Sequence, residues 1–464
     1  MTPAGYGFLP LPPEGCRRTA PQPGTRTGRI DVRLVPLTDL FLPDPRTCPG
    51  RVQSFCCTDP APSAAPTAPI LPAASLRGML RERFAAETGS CLAGLTAPRS
   101  SRSLTIKRPG IVRRDGAGWV LQPAVVYHLS FGEGVPADRV TQKDGSAVLR
   151  MGGRTYGYGA RLYVQFRPDI VDGWRISRVT ALAEKRTDTC RIRTALVPDG
   201  RSVLFFAPDR KKGPMPLPAE VLRAYHASLE GYAVPYGRRR IPDDAPEGLW
   251  AGVWYDTAPD GQLRLSPAAI GRDLLTQTPA DFAGSFAPCT DRALLCPACA
   301  LFGMTDSAGH PFRSRLRVTD GVFAGTAPVY APPRPIALHA PHPGAMAQYT
   351  RTDLPAKRWS YDAYRIGRDV RPLLPGALHL RGRKVYRPTA APPDSPAHTT
   401  LLPLAAGEAN AFTFTIWFDQ LDQATLDRLL DVMTAQTLRL GRGRPLGMGA
   451  VRLTPQVTLR HIEL

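Results

Sequence analysis

AFTFTIWFDQLDQATLDRLLDVMTAQTLRLGRGRPLGMGAVRLTPQVTL, residues 411–459, contains in succession the signals of a strand, a helix, a loop and a second strand. AFTFTIWF (411–418) alternates apolar and polar residues with the period of a half-buried strand. Asp419 or Asp422 can cap the segment that follows, where Leu426, Leu429, Leu430 and Met433 fall on one helical face. A glycine-arginine loop then leads into a final strand over 449–459.

Working outward, a second such unit lies near the start of the chain. Ile30, Val32 and Leu34 alternate with Asp31 and Arg33, which predicts a strand over 29–37 closed by Pro36. The next thirty-five or so residues, 38–72, are too proline-rich for a helix and hold Asp39, Asp44, Asp59, Cys48, Cys56 and Cys57. SLRGMLRERFAAETGS follows, with Ser75 as expected N-cap, Leu76, Met79, Leu80 and Phe84 on one face, and Gly89 as its end. Adding a strand near 315–323, the order β-α-β…β-α-β predicts an α+β fold, a ferredoxin-like or RRM-like sandwich. The expected organisation is an extended arm over 1–28, a first half of the core over 29–99, a mostly β inserted subdomain over 100–285, and a second half over 286–464.

Composition narrows the class. Lys+Arg 59 against Asp+Glu 39 gives +20, nearly all of it arginine, with 43% hydrophobic residues, so the chain is globular and basic. A polyanionic partner is one explanation of that charge and a GC-rich genome another. The 42 glycines and 50 prolines show no period, which excludes collagen and predicts long loops. Nine cysteines, an odd and sparse set including a C-x-x-C, predict a reducing compartment, read as cytoplasmic. No apolar run approaches membrane-spanning length, and no targeting segment is visible at the start.

Several constellations can carry chemistry. In GRGRPLGMG, Gly441, Gly443, Gly447 and Gly449 interleave with Arg442 and Arg444, and Arg439 precedes them. Glycines let backbone amides approach an anion, and arginine forks donate in pairs to phosphate oxygens. The alternative is a tight turn between helix and strand. Arg77 and Arg81, a turn apart with Gly78 between them, offer a second phosphate contact or a solvated helix face. Cys289, Cys296 and Cys299 form C-x6-C-x2-C; with His310 or a cysteine of the 48–57 loop as fourth ligand they suit structural Zn2+, against buried free thiols. KRWSYDAYRIGRD (357–369) mixes cations and aromatics, suited to stacking on RNA bases or to packing on the core. No Ser-His-Asp set, HExxH or paired-carboxylate motif is discernible.

Taken together, ILPAASLRGMLRERF, LCPACALFG followed by RSRLRVTD, ALHLRGRKVY, and FTFTIWFDQL with LGRGRPLGMGAVRL resemble, in order, the RAMP superfamily of CRISPR-associated proteins. The likeness is greatest to crRNA-binding backbone subunits of type III effector complexes, and a YGFLPLP start is shared with the larger ones. The resemblance implies a RAMP fold, crRNA, complementary target RNA and other RAMP-type subunits as partners. It also implies guide contacts at Ser75, Arg77, Gly78, Arg81, Gly441, Gly443, Arg444 and Gly447. Some relatives cleave target RNA with a divalent metal and an aspartate after the first strand. Asp44 is the first candidate here, then Asp39 and Asp59, with Mg2+ or another divalent metal, so an endoribonuclease subunit is the alternative function. A guide-processing ribonuclease ranks last, because none of the eight histidines sits in the first helix.

Overall fold

The computed structural model describes residues 6–45, 52–57, 68–95, 100–116, 118–129, 137–141, 147–171, 174–199, 202–230, 232, 239–242, 249–258, 261–306, 308–336, 346–374, 376–386, 399–435 and 438–460. The protein is mixed α/β and mostly β, with 17% helix and 44% strand, consistent with an α+β class. It divides into two compact units. Unit one comprises Met1–Thr96, Pro279–His342 and His379–Leu464; unit two comprises Ala97–Thr278 and Pro343–Leu378.

Unit one is built on strands β1 (Arg26–Pro36), β2 (Ile70–Leu71), β3 (Leu316–Val318), β4 (Gly321–Phe323), β5 (Phe412–Leu421) and β6 (Val451–Leu459), with helices α1 (Ala73–Glu87), α2 (Pro297–Phe302) and α3 (Gln423–Thr434). The sheet runs β6-β1-β5-β4-β2, and β3 also pairs with β5. Every pairing is antiparallel, with Ile30 of β1 opposite both Ile416 of β5 and Val457 of β6. The alternation legible in the sequence has its expected effect: Ile30, Val32, Leu34, Phe412, Phe414, Ile416 and Phe418 are buried in one core. Leu76, Met79, Leu80 and Phe84 of α1 and Leu426, Leu429, Val432 and Met433 of α3 complete that core. Each such side chain contributes about 1.5–3 kcal/mol on full burial. Val432 takes the buried place expected of Leu430, which is half-buried.

The helix ends differ in how they are satisfied. Asp422 caps α3 as expected, its side chain accepting from Thr425 N at 2.8 Å. Helix α1 begins at Ala73, two residues before Ser75, so Ser75 lies in the first turn and is not the cap. Its cap comes from far away in sequence: Asp320, between β3 and β4, accepts from Ala73 N at 2.7 Å. The arm before β1 packs on its own unit, with Thr19 bridged to Leu295 and Cys16 buried.

Unit two holds a nine-stranded sheet containing Arg108–Asp115, Gly118–Leu129, Arg161–Val171, Trp174–Ala183, Ile192–Asp199, Ser202–Pro208, Ala251–Thr257 and Leu263–Ser266. The helix Ala219–Leu229 packs on it through Val221, Leu222, Tyr225 and Leu229. Its interior also carries charge. Lys107, with no exposed side-chain surface, pairs with Asp256 at 2.6 Å and Asp273 at 2.8 Å, and Arg264 pairs with the same two carboxylates. Among the described residues no helix is long and apolar enough to cross a membrane.

Candidate functional site

Cys91, Cys289, Cys296 and Cys299 come together in the core of unit one, their sulfurs all within 4.8 Å of one another. Tetrahedral zinc with metal–sulfur bonds of about 2.3 Å requires sulfurs about 3.8 Å apart. The Cys91 and Cys299 sulfurs are 3.6 Å apart. Helix α2 starts at Pro297 directly after Cys296 and carries Cys299 in its first turn, while Gly303, with φ +76°, ends it. A Cβ at Gly303 would lie 2.9 Å from Ser314 N, so the tight return after the knuckle requires glycine. Cys91 arrives just beyond α1, held where Ala298 N donates to Ser90 Oγ at 3.0 Å and Leu92 N donates to Phe286 O at 2.8 Å.

Donors surround the sulfurs. Cys296 N donates to Cys289 Sγ at 3.5 Å, Arg18 Nε to Cys289 Sγ at 3.3 Å, and Arg81 Nη2 to Cys299 Sγ at 3.5 Å. The thiol of Cys289 is lowered to about 6: its bond with Cys296 raises it, and those with Cys299 and Cys91 lower it by more. Cys296 is lowered by its bonds with Cys289, Cys299 and Cys91, whereas Cys91 and Cys299 are raised, each first through Cys289. Metal binding requires thiolates, and the donors around Cys289 and Cys299 favour that form. Cys16, buried nearby, is pushed up to about 11 by burial and then by Cys296, and stays a thiol. The four cysteines can therefore hold a structural metal such as zinc. His310 is not their fourth partner: it is exposed, and its ring pairs with Asp306 at 3.4 Å. Cys56 and Cys57 are half-buried outside the cluster, and Cys48 lies outside the described residues.

The glycine-arginine loop lies against the loop after β1. Arg442 N donates to Phe41 O at 2.8 Å and Gly449 N to Asp39 O at 2.8 Å. Gly441 has φ +83°, and a Cβ there would collide with the Phe41 carbonyl, so both conformation and space demand glycine. Gly443 and Gly447 are also left-handed. Arg444 reaches Glu82 of α1 at 3.0 Å, Arg442 donates to Gln53 Oε1 at 2.7 Å, and Arg439 donates to Met448 O at 3.1 Å. Arg439 is lowered by burial and then by Arg444.

Within α1, Ser75 N donates to Pro72 O, and Gly78 is exposed, with nothing among the described residues within 4 Å of a Cβ built there. Arg77 and Arg81 have work inside the unit. Arg77 donates to Phe302 O and Arg81 to Cys299, so both stitch α1 to α2. Asp44 is buried at 4% exposure, with its backbone N on Ser54 O at 3.1 Å. Asp39 pairs with Arg334 at 3.4 Å, and Asp59 lies outside the described residues. Among the described residues the cysteine set is the only metal-capable cluster. The 357–369 segment is a hairpin of unit two in which Tyr361 is buried, Trp359 Nε1 donates to Thr350 Oγ1 at 2.8 Å, and Trp359 and Tyr364 are half-buried.

The chain matches no family model and no curated protein. Among solved structures, a chain of a "Type IV-B CRISPR Complex" is similar over 94% of this chain and 93% of that one, at 11% identity and a TM-score of 0.29.

Proposed function

We propose that this protein is a guide-RNA-binding backbone subunit of a RAMP-type CRISPR ribonucleoprotein, with unit one as its ferredoxin-like core. The strand order supports the core: β1 and β5 are central, β6 and β4 flank them, and α1 and α3 join strands that are not neighbours. One observation carries the RNA reading. The glycine-arginine loop near one end of the chain and helix α1 near the other meet, through Arg444 and Glu82, beside Gly441 packed on Phe41. Against the one carboxylate of Glu82 the loop sets the half-buried Arg439, Arg442 and Arg444, and that surplus of cations suits sequence-independent phosphate contacts. The exposed Gly78 adds to it, since a helix-interior glycine costs about 1 kcal/mol relative to alanine and nothing among the described residues demands it here.

Cys91, Cys289, Cys296 and Cys299 would hold zinc, which would act as a cross-link between the end of α1 and α2. Complementary target RNA and neighbouring RAMP-type subunits follow from this role as its partners. Anisotropy of a labelled single-stranded RNA across a salt series tests the reading. Wild type binds with a clear salt slope, and Arg444→Ala lowers that slope by about one. Binding without any salt dependence, or none at all, would refute it.

A further inference from the structure

A two-stranded ribbon in unit one has a face that none of the roles above explains. Tyr6–Leu9 pairs antiparallel with Arg383–Tyr386, placing Tyr6 opposite Tyr386 and Phe8 opposite Lys384. Alternation then puts Tyr6, Phe8, Lys384 and Tyr386 on one face and Arg383 on the other. The back is anchored to the cysteine centre: Arg383 donates to the carbonyls of Ser90 and Cys91, the latter at 3.3 Å. Gly382, with φ +124°, lets the chain pass close under the Leu9 carbonyl, where a Cβ would collide.

The front alternates cations and rings. Lys384 Nζ lies 4.5 Å from the Tyr6 ring centroid and 5.4 Å from that of Tyr386. Arg444, from the glycine-arginine loop, lies 4.6 Å from the same Tyr386 ring. Phe8 meets Tyr6 edge-on at 6.0 Å. Tyr6, Lys384, Tyr386 and Arg444 are all half-buried, so their shapes are held while part of each faces solvent. Two cations flanking one ring repel each other: Lys384 is lowered by burial and then by Arg444. An anion between them offsets that repulsion, and aromatic side chains in a cationic setting are what single-stranded bases stack upon. A nucleotide offers both groups, whereas a bare phosphate chain offers one.

We infer that Tyr6, Lys384, Tyr386 and Arg444 form a nucleotide subsite for single-stranded RNA, a phosphate seated between Lys384 and Arg444 and a base against the tyrosine rings. The subsite rests on the RNA-binding reading above and extends it to the ribbon.

The test uses the full chain with labelled polyuridine and, separately, inorganic polyphosphate as a baseless competitor. Tyr386→Leu and Tyr6→Leu each weaken polyuridine binding about tenfold and leave polyphosphate competition unchanged. Tyr386→Phe binds as wild type, and Lys384→Met weakens both probes with a salt slope lower by about one. Tyr6→Leu, close to the start of the chain, and Tyr386→Phe keep the test decisive should Tyr386→Leu misfold. If both leucine variants bind polyuridine as wild type does while wild type shows its salt slope, the subsite is wrong and the RNA reading survives. Equal losses on both probes overturn the base-stacking role. A wild type that binds neither probe overturns both.

Discussion

The cysteine centre of unit one and the Lys107 cluster of unit two both bury ionisable side chains, yet only the second contains its full counter-charge. Around Lys107, two cations face two carboxylates: Lys107 and Arg264 against Asp256 and Asp273. Around Cys296, four sulfurs converge, and the charged groups that donate to them among the described residues are the guanidinium groups of Arg18 and Arg81. Burying a charge is costly unless it is paired, so the first arrangement closes on itself, and the second, once its thiols ionise, can be closed by a dication. Unit two thus pairs its buried charges with its own residues, while unit one holds four cysteines that can bind a structural metal.

The largest expected effect tests whether a metal fills the cysteine centre. Structural zinc in small domains binds with about 10–16 kcal/mol, and that energy becomes folding energy. Elemental analysis of the purified chain should give one zinc per molecule. A strong chelator, or Cys296→Ser, should release it and lower the thermal stability of unit one, with loss of protection at α1 in hydrogen exchange. The strands around Lys107 should keep their protection. A chain that carries no metal, or that retains α1 protection after chelation, would erase the contrast.

The next effect comes from the self-contained cluster. Lys107→Met leaves Asp256 and Asp273 with Arg264 as their cation, beside the hydroxyls of Thr105 and Ser103, and should cost about 3–5 kcal/mol, read from denaturant midpoints. Replacing Asp273 by leucine as well should recover part of that loss, because one unpaired carboxylate goes with it. The pH dependence has a defined sign. Burial raises the Asp256 carboxyl, but Lys107 and then Arg264 lower it by more, leaving it below its ordinary 3.8. Its stabilising contribution is complete above that value and disappears as pH falls through the lower folded value. Acidification that left the unit-two transition unmoved would show that the pair contributes nothing.

How much of this was legible in the sequence depends on how far apart the partners lie along the chain. β5, α3 and β6 follow from local periodicity, and Asp422 caps α3 from the adjacent position, so all of these could be read directly. The glycine-arginine loop showed its composition, and composition tracks backbone need at Gly441. Cys91 stands 208 residues before Cys299 with no spacing pattern to mark it, so His310, near in sequence, looked the better ligand. Arg77 and Arg81 share an i, i+4 face that reads equally as phosphate contact or as solvated surface. Only the fold reveals that α2 lies beneath that face and takes both side chains. The same holds for Asp320, whose value to α1 exists only once the β3–β4 turn is placed.

That carboxylate gives the smallest predicted effect and reduces the comparison to a single exposed end. Asp320 sits where an anion is favoured, at the positive end of α1, accepting from Ala73 N at 2.7 Å. Asp320→Ala should cost about 1 kcal/mol, the usual worth of an N-cap, and lower the denaturant midpoint without changing its slope. Its consequence for RNA is more informative than its effect on stability. If the helix start itself received phosphate, removing the resident carboxylate would free its amides and strengthen RNA binding at low salt. If phosphates instead contact the Arg444 edge, affinity and salt slope should stay at wild-type values in Asp320→Ala. The second outcome is expected, because the chain already supplies this helix with its anion, as unit two supplies its own charges around Lys107.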